Sequence, residues 1–387
     1  MNENSISIFI NTYPNNNKYL PMIEKLGDRL NKFYGMGIPR GSQMPIDLKR
    51  KLKTTKMSSR ISGFIVKPML AFFHMPRYYG YWANVKLLDW YFAKKVSCDD
   101  SKILFTSPLL VNTVRKAKRA GKFIVLEAGN SEPKREHQRI MDEYIRFDIK
   151  HKYIYGNSMF RDTCLESFKL ADKIITISKV SRQTYIDAGY PGDKLEMIPL
   201  TGTDFLTQPF DAYQGKQKAF ITTAFHNFIK GTHRLLLAWK KADIKNIPLI
   251  IVGSICEDLQ EFIDKYGPFE NVIFVGHQNV KDFYSTRDAV GVLLSLSEGA
   301  GRVTPEMMSF GYPMIVSSDA TCDLVVDGEN GFVVDPFDEN SIIDRIKWFA
   351  DDWNHVYEMR NCVLSSVTNR SVKQWSVEVA DYLQTLL

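Results

Sequence analysis

The sequence predicts an α/β protein made of two Rossmann-like domains facing each other across a cleft. Length is the first reason. At 387 residues the chain exceeds the roughly 250 to 300 over which one hydrophobic core keeps growing, so two domains are expected. The second reason is a regular alternation from about Ala219 onward, where short apolar runs are separated by helix-like stretches. Such alternation means a parallel sheet with helices on both faces, and right-handed crossovers then place ligands at the carboxyl ends of the strands. The third is a weaker copy of the same pattern in the first half.

Taken in order, SISIFIN (5–11), KILFTSP (102–108), KFIVLEA (122–128) and DKIITIS (172–178) read as strands of the first half. VNTVRKAKRAG (111–121) reads as a crossover helix ending at Gly121. The stretch 203–217 has turn formers and little periodicity, which marks a linker. Beyond it AFITTA (219–224), PLIIVG (248–253), NVIFVG (271–276), AVGVLLS (289–295) and PMIVSS (313–318) read as strands. Leu259, Phe262, Ile263 and Tyr266 fall at i, i+3, i+4 and i+7, the apolar face of a helix. The last stretch, from Ser371, places Trp375, Val379, Tyr382 and Leu383 on one face of an amphipathic helix. The expected domains are therefore 1–204 and 205–368, with 369–387 as a final helix.

Residues 40–95 depart from this pattern. Between Arg40 and Lys67 stand eight basic residues and one acid, Asp47, leading into the aromatic-rich ISGFIVKPMLAFFHMPRYYGYW (61–82). Basic residues beside exposed aromatic ones suit an anionic membrane surface. The competing reading is that 61–73 packs as an internal helix and the lysines form its solvated flank.

Composition narrows the class. Hydrophobic content of 44% and charged content of 24% are those of an ordinary globular protein. A net charge of +6 favours an acidic ligand or surface, and no nucleic-acid partner is expected. Five cysteines, Cys98, Cys164, Cys256, Cys322 and Cys362, are scattered and odd in number, which argues for reduced thiols in the cytoplasm and against a zinc site. The start MNENSISIFIN lacks the form of a signal peptide, and no run approaches the ~18 apolar residues of a membrane span. A cytoplasmic protein is expected, with membrane contact only from the inner face. Neither half opens with G-x-G-x-x-G, which weighs against a dinucleotide cofactor.

The densest chemistry lies in SEGAGRVTPEMMSFGYP (297–313). Glu298 and Glu306 flank a turn containing Gly299 and Gly301, where positive φ and close backbone approach are possible. Thr304 followed by Pro305 reads as a helix N-cap and first-turn proline, with the helix running through Phe310. A strand, a glycine turn and a helix start together form an anion site, and phosphate is its usual occupant. Taken singly, Glu306 also suits a helix dipole, Glu298 a solvated loop, and Lys230 a position snorkelling along its helix.

Four motifs resemble the retaining GT-B glycosyltransferases of the large family four. They are LADKIITISKVSRQTYIDAGYPGDKLEMIPLTGTDF (170–205), Phe228-Ile229-Lys230-Gly231 with THRLLLAWKKA, the stretch 275–313, and DLVVDGENGFVVDPFD (323–338). The resemblance implies transfer of a hexose from a nucleotide diphosphate sugar to a glycan or lipid-linked glycan in cell-surface polysaccharide synthesis. It implies no cofactor beyond that co-substrate. Lys230 would offset charge on the departing diphosphate, helped by the stretch Gly299, Ala300, Gly301, Arg302, Val303 and Thr304. Glu306 is similar to the residue that binds the ribose, and Glu298 to the one that holds the transferred sugar. The final helix would cross back to the first domain.

The chain also departs from the family. Phe225 stands where an arginine is usual, so His226 or Arg302 is left to share the phosphate role. The common glutamate after the fifth strand of the second half is missing, with Asp323 taken as the nearest acid. The pocket histidine of the first half is replaced within EAGNSEP, where Glu127 or Asn130 would serve the acceptor; the histidines His74, His137 and His151 read as surface or packing residues. Retention would follow a front-face route without a protein nucleophile. The chain has no D-x-D, so metal-independent turnover is expected. The alternatives are a catalytically silent GT-B scaffold and a nucleotide-binding oxidoreductase.

Overall fold

A computed structural model describes residues 2–11, 18–36, 50–54, 60–61, 68, 72, 78–150, 153, 156–205, 215–367 and 370–387. Two sheets organise them. The first contains β1 (Asn2–Phe9), β2 (Leu30–Gly35), β3 (Leu52–Thr54), β4 (Ser101–Thr106), β5 (Phe123–Ala128), β6 (Lys173–Thr176) and β7 (Leu195–Met197), in the order β3-β2-β1-β4-β5-β6-β7. The second contains β8 (Gln217–Thr223), β9 (Leu249–Val252), β10 (Val272–Gly276), β11 (Arg287–Leu293), β12 (Met314–Ser317) and β13 (Gly331–Val334), in the order β10-β9-β8-β11-β12-β13. Every pairing is parallel. Central strands covered on both faces need continuous apolar runs, and Ile103–Phe105 and Ala289–Leu293 supply them, with Gly291 the one gap. Strand order reverses between β1 and β4 in one sheet and between β8 and β11 in the other. Ligands of such sheets bind beyond the carboxyl ends of the strands at these reversals.

The helices are α1 (Leu20–Leu26), α2 (Tyr78–Val96), α3 (Val111–Arg119), α4 (Pro133–Arg146), α5 (Ser158–Leu170), α6 (Lys179–Asp187), α7 (Thr232–Ala242), α8 (Glu257–Tyr266), α9 (Val280–Ser285), α10 (Val303–Met308), α11 (Glu339–Asp351), α12 (Asn354–Ser366) and α13 (Val372–Thr385). On the first sheet, α2, α3 and α5 cover one face and α1 with α13 the other. Helix α13 belongs to the end of the chain but packs on the first domain. Trp375, Val379 and Leu383 are buried there, and the Trp375 indole donates to Ile198 O at 3.0 Å. Tyr382 is only partly buried, at the edge of that face.

Helix α4 crosses the other way. It lies within 1–204, yet Ile140 and Tyr144, with Phe147 and Ile149 just beyond its end, are part of the second domain's core. Its Glu143 accepts buried bonds from Arg234 (2.5 Å) and His233 (2.9 Å) of α7. A division of the chain at residue 204 therefore separates α4 from the core it packs into.

Strand and helix limits in the second half fall within two residues of the expected runs. The stretch 40–95 contains β3 and the 19-residue α2; no strand or helix of the regular pattern was expected there. Most of the basic and aromatic stretch at 40–77, His74, His151 and the linker's 206–214 lie outside the described residues. Within it Lys51 donates to Gly27 O at 2.9 Å. Among the described residues no helix is long and apolar enough to cross a membrane.

Candidate active site

Lys230 and Glu298 emerge from the two strands that flank the reversal in the second sheet. Lys230 ends a 3-10 turn (Phe228–Lys230) after β8, fixed by Asn227, whose side chain accepts from Ile229 N at 3.0 Å. Gly231 follows at φ 67°, and a Cβ there would lie 1.8 Å from Leu294 O. Only glycine fits that contact. Leu296 N donates to Ile229 O at 2.8 Å, so the loops after β8 and β11 are joined. The Lys230 ammonium donates to Glu298 Oε1, which also accepts from Ser295 Oγ at 2.9 Å. The result is one half-buried cation paired with one carboxylate at the place where the topology puts a ligand.

The glycine turn after Glu298 is pressed against the first domain. Glu298 O accepts from Ser131 Oγ at 2.8 Å and Gly299 O from Ser178 Oγ at 2.5 Å. Ala300, 3% exposed, packs in the core that contains Ile177, Ile198 and Leu200. Gly301 has φ 62° and lies against Ala320. The helix start differs from expectation. Helix α10 begins at Val303 and ends at Met308, and Thr304 lies inside it, donating through Oγ1 to Ala320 O at 2.6 Å instead of capping. The threonine is buried, so its hydroxyl satisfies the nearest carbonyl and ties the turn to the residues after β12.

Glu306 lies on α10, 3.9 Å from the half-exposed Arg302. Burial raises its carboxyl above the usual range, with Asp204 acting in the same direction and Arg302 against it. His226 is buried, with Nε2 3.0 Å from Val252 O and Nδ1 2.8 Å from Thr232 Oγ1. Burial lowers its pKa to about 4, so the ring is neutral and both nitrogens are occupied within the second domain. After β12, Asp319 is nearer the strand end than Asp323. Asp323 accepts from Lys179 N at 2.8 Å. Asp319 accepts from Arg135 (2.7 and 2.8 Å) and Arg139 (2.9 Å) of α4.

A cleft of about 990 Å³ opens at the carboxyl ends of β1, β4 and β5 and faces the second domain. Asn11, Glu127, Asn130 and Glu136 line one side, and Phe225, Cys256 and Asp258 the other. Glu127 is held by Lys18 at 2.5 Å and by the Tyr19 hydroxyl at 3.1 Å. Lys230, Glu298 and Glu306 do not line the cleft. Its wall nonetheless bonds to both loops: Asp258 accepts from Phe228 N at 3.1 Å, and Glu136 from Ser297 Oγ at 3.1 Å. Burial raises the carboxyl of Asp258 to about 6 and that of Glu136 to about 8. Sequence reasoning missed Glu136, Arg135, Arg139, Asp258 and Asp319, whose bonds to the other loops and helices of the site join residues distant in the chain.

Residues 210–362 match the model of the glycosyl transferases, group 1. That match takes in all six strands of the second sheet, 153 of the 387 residues. CapM of Staphylococcus aureus, a capsular polysaccharide biosynthesis glycosyltransferase, is 29% identical over 132 residues, which are 32% of this chain and 34% of CapM. The chain thus matches about a third of that relative's length. Sucrose-phosphate synthase from Thermosynechococcus elongatus superposes with a TM-score of 0.66 at 14% identity, covering 99% of both chains. Anabaena HepE in complex with UDP and glucose superposes at 0.62 and 16% identity, covering 98% of this chain and 100% of HepE. At these identities the likeness shows the fold, which is GT-B.

Proposed function

We propose that the chain is a retaining glycosyltransferase that moves a hexose from a nucleotide diphosphate sugar to a glycan or lipid-linked glycan in cell-surface polysaccharide synthesis. The observation that carries this reading is the Lys230–Glu298 pair at the strand reversal of a group 1 domain. A donor inserted there meets a cation for its departing diphosphate and a carboxylate for its sugar hydroxyls. Glu306 would bind the ribose, and Arg302 with the turn from Gly299 to Thr304 would address the diphosphate. Glu127 and Asn130, in the cleft, would face the acceptor. HepE, which shares the fold, forms complexes with UDP and UDP-glucose, and this favours UDP as the nucleotide. The reaction is metal-independent and cytoplasmic in this reading, with any membrane contact peripheral.

Nucleotide release from a panel of UDP-hexoses tests the proposal. Glu298→Gln and Lys230→Ala should each lower release by about 10²–10³-fold, as loss of one charge-stabilising group does, and EDTA should leave it unchanged. Wild-type protein that binds UDP-sugars but releases no nucleotide would support the second reading, a catalytically silent scaffold. That reading draws on Gly299, which is seated so closely on the first domain that a Cβ would lie 2.0 Å from Gly129 O.

A further inference from the structure

The cleft and the Lys230–Glu298 pair meet at Glu136. This residue lies in the first turn of α4, is 3% exposed, lines the cleft and accepts from Ser297, the neighbour of Glu298. The groups that face it are Lys230 after β8, Glu298 after β11, Arg135 on its own helix, Cys164 on α5 and Tyr185 on α6. Among the described residues no cation forms an ion pair with it. A buried carboxyl without a paired cation costs stability that an apolar side chain of similar size would not. Packing alone gives no reason for an acid here.

The rest of the cleft indicates what it would hold. Tyr81, Tyr153, Phe160 and Phe225 supply ring faces, Phe225 being 53% exposed, and such faces suit the C–H surface of a pyranose. Glu257 and Asp258 join Glu127 and Glu136 on the walls, and the one lysine among the described lining residues, Lys18, is bonded to Glu127. An acid-rich wall disfavours a phosphate or a uronate.

We propose that Glu136 Oε1 binds a hydroxyl of an uncharged hexose at the acceptor's reacting end, where the cleft meets the Lys230–Glu298 pair. The inference rests on the glycosyltransferase reading and names the acceptor class for it. Because burial keeps Glu136 protonated near neutral pH, it offers the sugar a donor as well as an acceptor. Ionisation above pH 8 removes the donor and adds a second negative charge beside Glu298.

Methyl glycosides test the proposal as acceptor probes. Nucleotide release from the UDP-hexose that the wild type turns over is measured with methyl glucoside, galactoside, mannoside and glucuronide. At least one neutral glycoside should accelerate release saturably, and the glucuronide should not. Glu136→Ala should raise that glycoside's KM about tenfold or more, the scale of one lost buried hydrogen bond. Glu136→Gln should stay within about threefold at pH 7. The wild-type KM should rise from pH 7 to 9, and the Gln variant's should not. An unchanged KM in the Ala variant, the same alkaline rise in the Gln variant, a glucuronide as effective as the neutral sugars, or no response to any glycoside would each overturn the proposal. Any of these leaves the glycosyltransferase reading standing. A wild type that releases nucleotide from no donor sinks that reading, and this proposal with it. Should the Ala variant fail to fold, the pH profile of the Gln variant still decides.

Discussion

Glu136 also makes the protein's stability depend on pH, and the sign follows from its burial. Its folded-state pKa is about 8 against an ordinary 4.5, so between those values the folded protein keeps a proton that the unfolded chain has lost. Stability then falls as pH rises through that window. Asp258 acts with the same sign between 3.8 and about 6. Glu136→Gln removes the larger contribution and should stabilise the protein at pH 8 by an amount on the order of 3 kcal/mol. Near pH 4.5 the gain should vanish. Urea midpoints at pH 4.5, 6 and 8 measure it, and an equal shift at all three would refute the assignment. Lys230, Glu298 and Glu306 were legible in the sequence because each stands in a local motif beside a glycine or a helix start. Glu136 was not, because it stands in no such motif and the residues of other elements that face it, Cys164, Tyr185, Lys230 and Glu298, lie 28 or more positions away.

Helix α4 was not among the elements read from the sequence, and its placement is harder still to read. Its amphipathic face, Ile140 and Tyr144, is regular, but nothing local says which core that face enters. Burial would raise the Glu143 carboxyl, yet the bonds from His233 and Arg234 overcome it and hold it at about 2. The stability this contributes is present above pH 4.5 and is lost as pH falls toward 2. Burial also lowers the His233 pKa, so the neutral ring must charge on acidification. Both terms loosen α4 in acid. Glu143→Ala leaves the Arg234 guanidinium buried without its carboxylate, with the Phe147 and Phe337 rings beside it, and should cost roughly 3–5 kcal/mol. Urea unfolding checks the size, and faster amide exchange along α4 checks the place. A loss under 1 kcal/mol with α4 protection intact would show that the apolar face alone docks the helix. Strands β2, β3 and β7 escaped the sequence reading for another reason: LNKFYG, LKT and LEM are short and carry polar residues, and they gain strand structure from their parallel neighbours.

At the scale of the molecule, the two domains are held together by contacts that join residues far apart in the chain. Asp319, 1% exposed, is clasped by Arg135 and Arg139, and α13 returns the end of the chain to the first sheet. Gly299 is seated directly on Gly129. A methyl group on Gly299 would lie 2.0 Å from Gly129 O, where ordinary contact begins at 3.4 Å. The turn is tied to the first domain by Ser178 and Ser131, which bond the carbonyls of Gly299 and Glu298, so a wedge there strains both bonds. Gly299→Ala should therefore wedge the glycine turn away from the first domain by about 1 Å and carry Glu298 off Lys230. Displacement of that size at a reacting centre costs about a hundredfold in rate. The same methyl would lie 2.8 Å from Ile177 Cδ1 in the first domain's core, so the unfolding midpoint should fall as well while nucleotide release collapses. Asp319→Asn separates the two effects, since it weakens the clasp without inserting bulk and should give a smaller fall in release. If Gly299→Ala keeps its turnover within threefold, the arrangement with Gly299 seated on Gly129 is not the one in which the sugar is transferred.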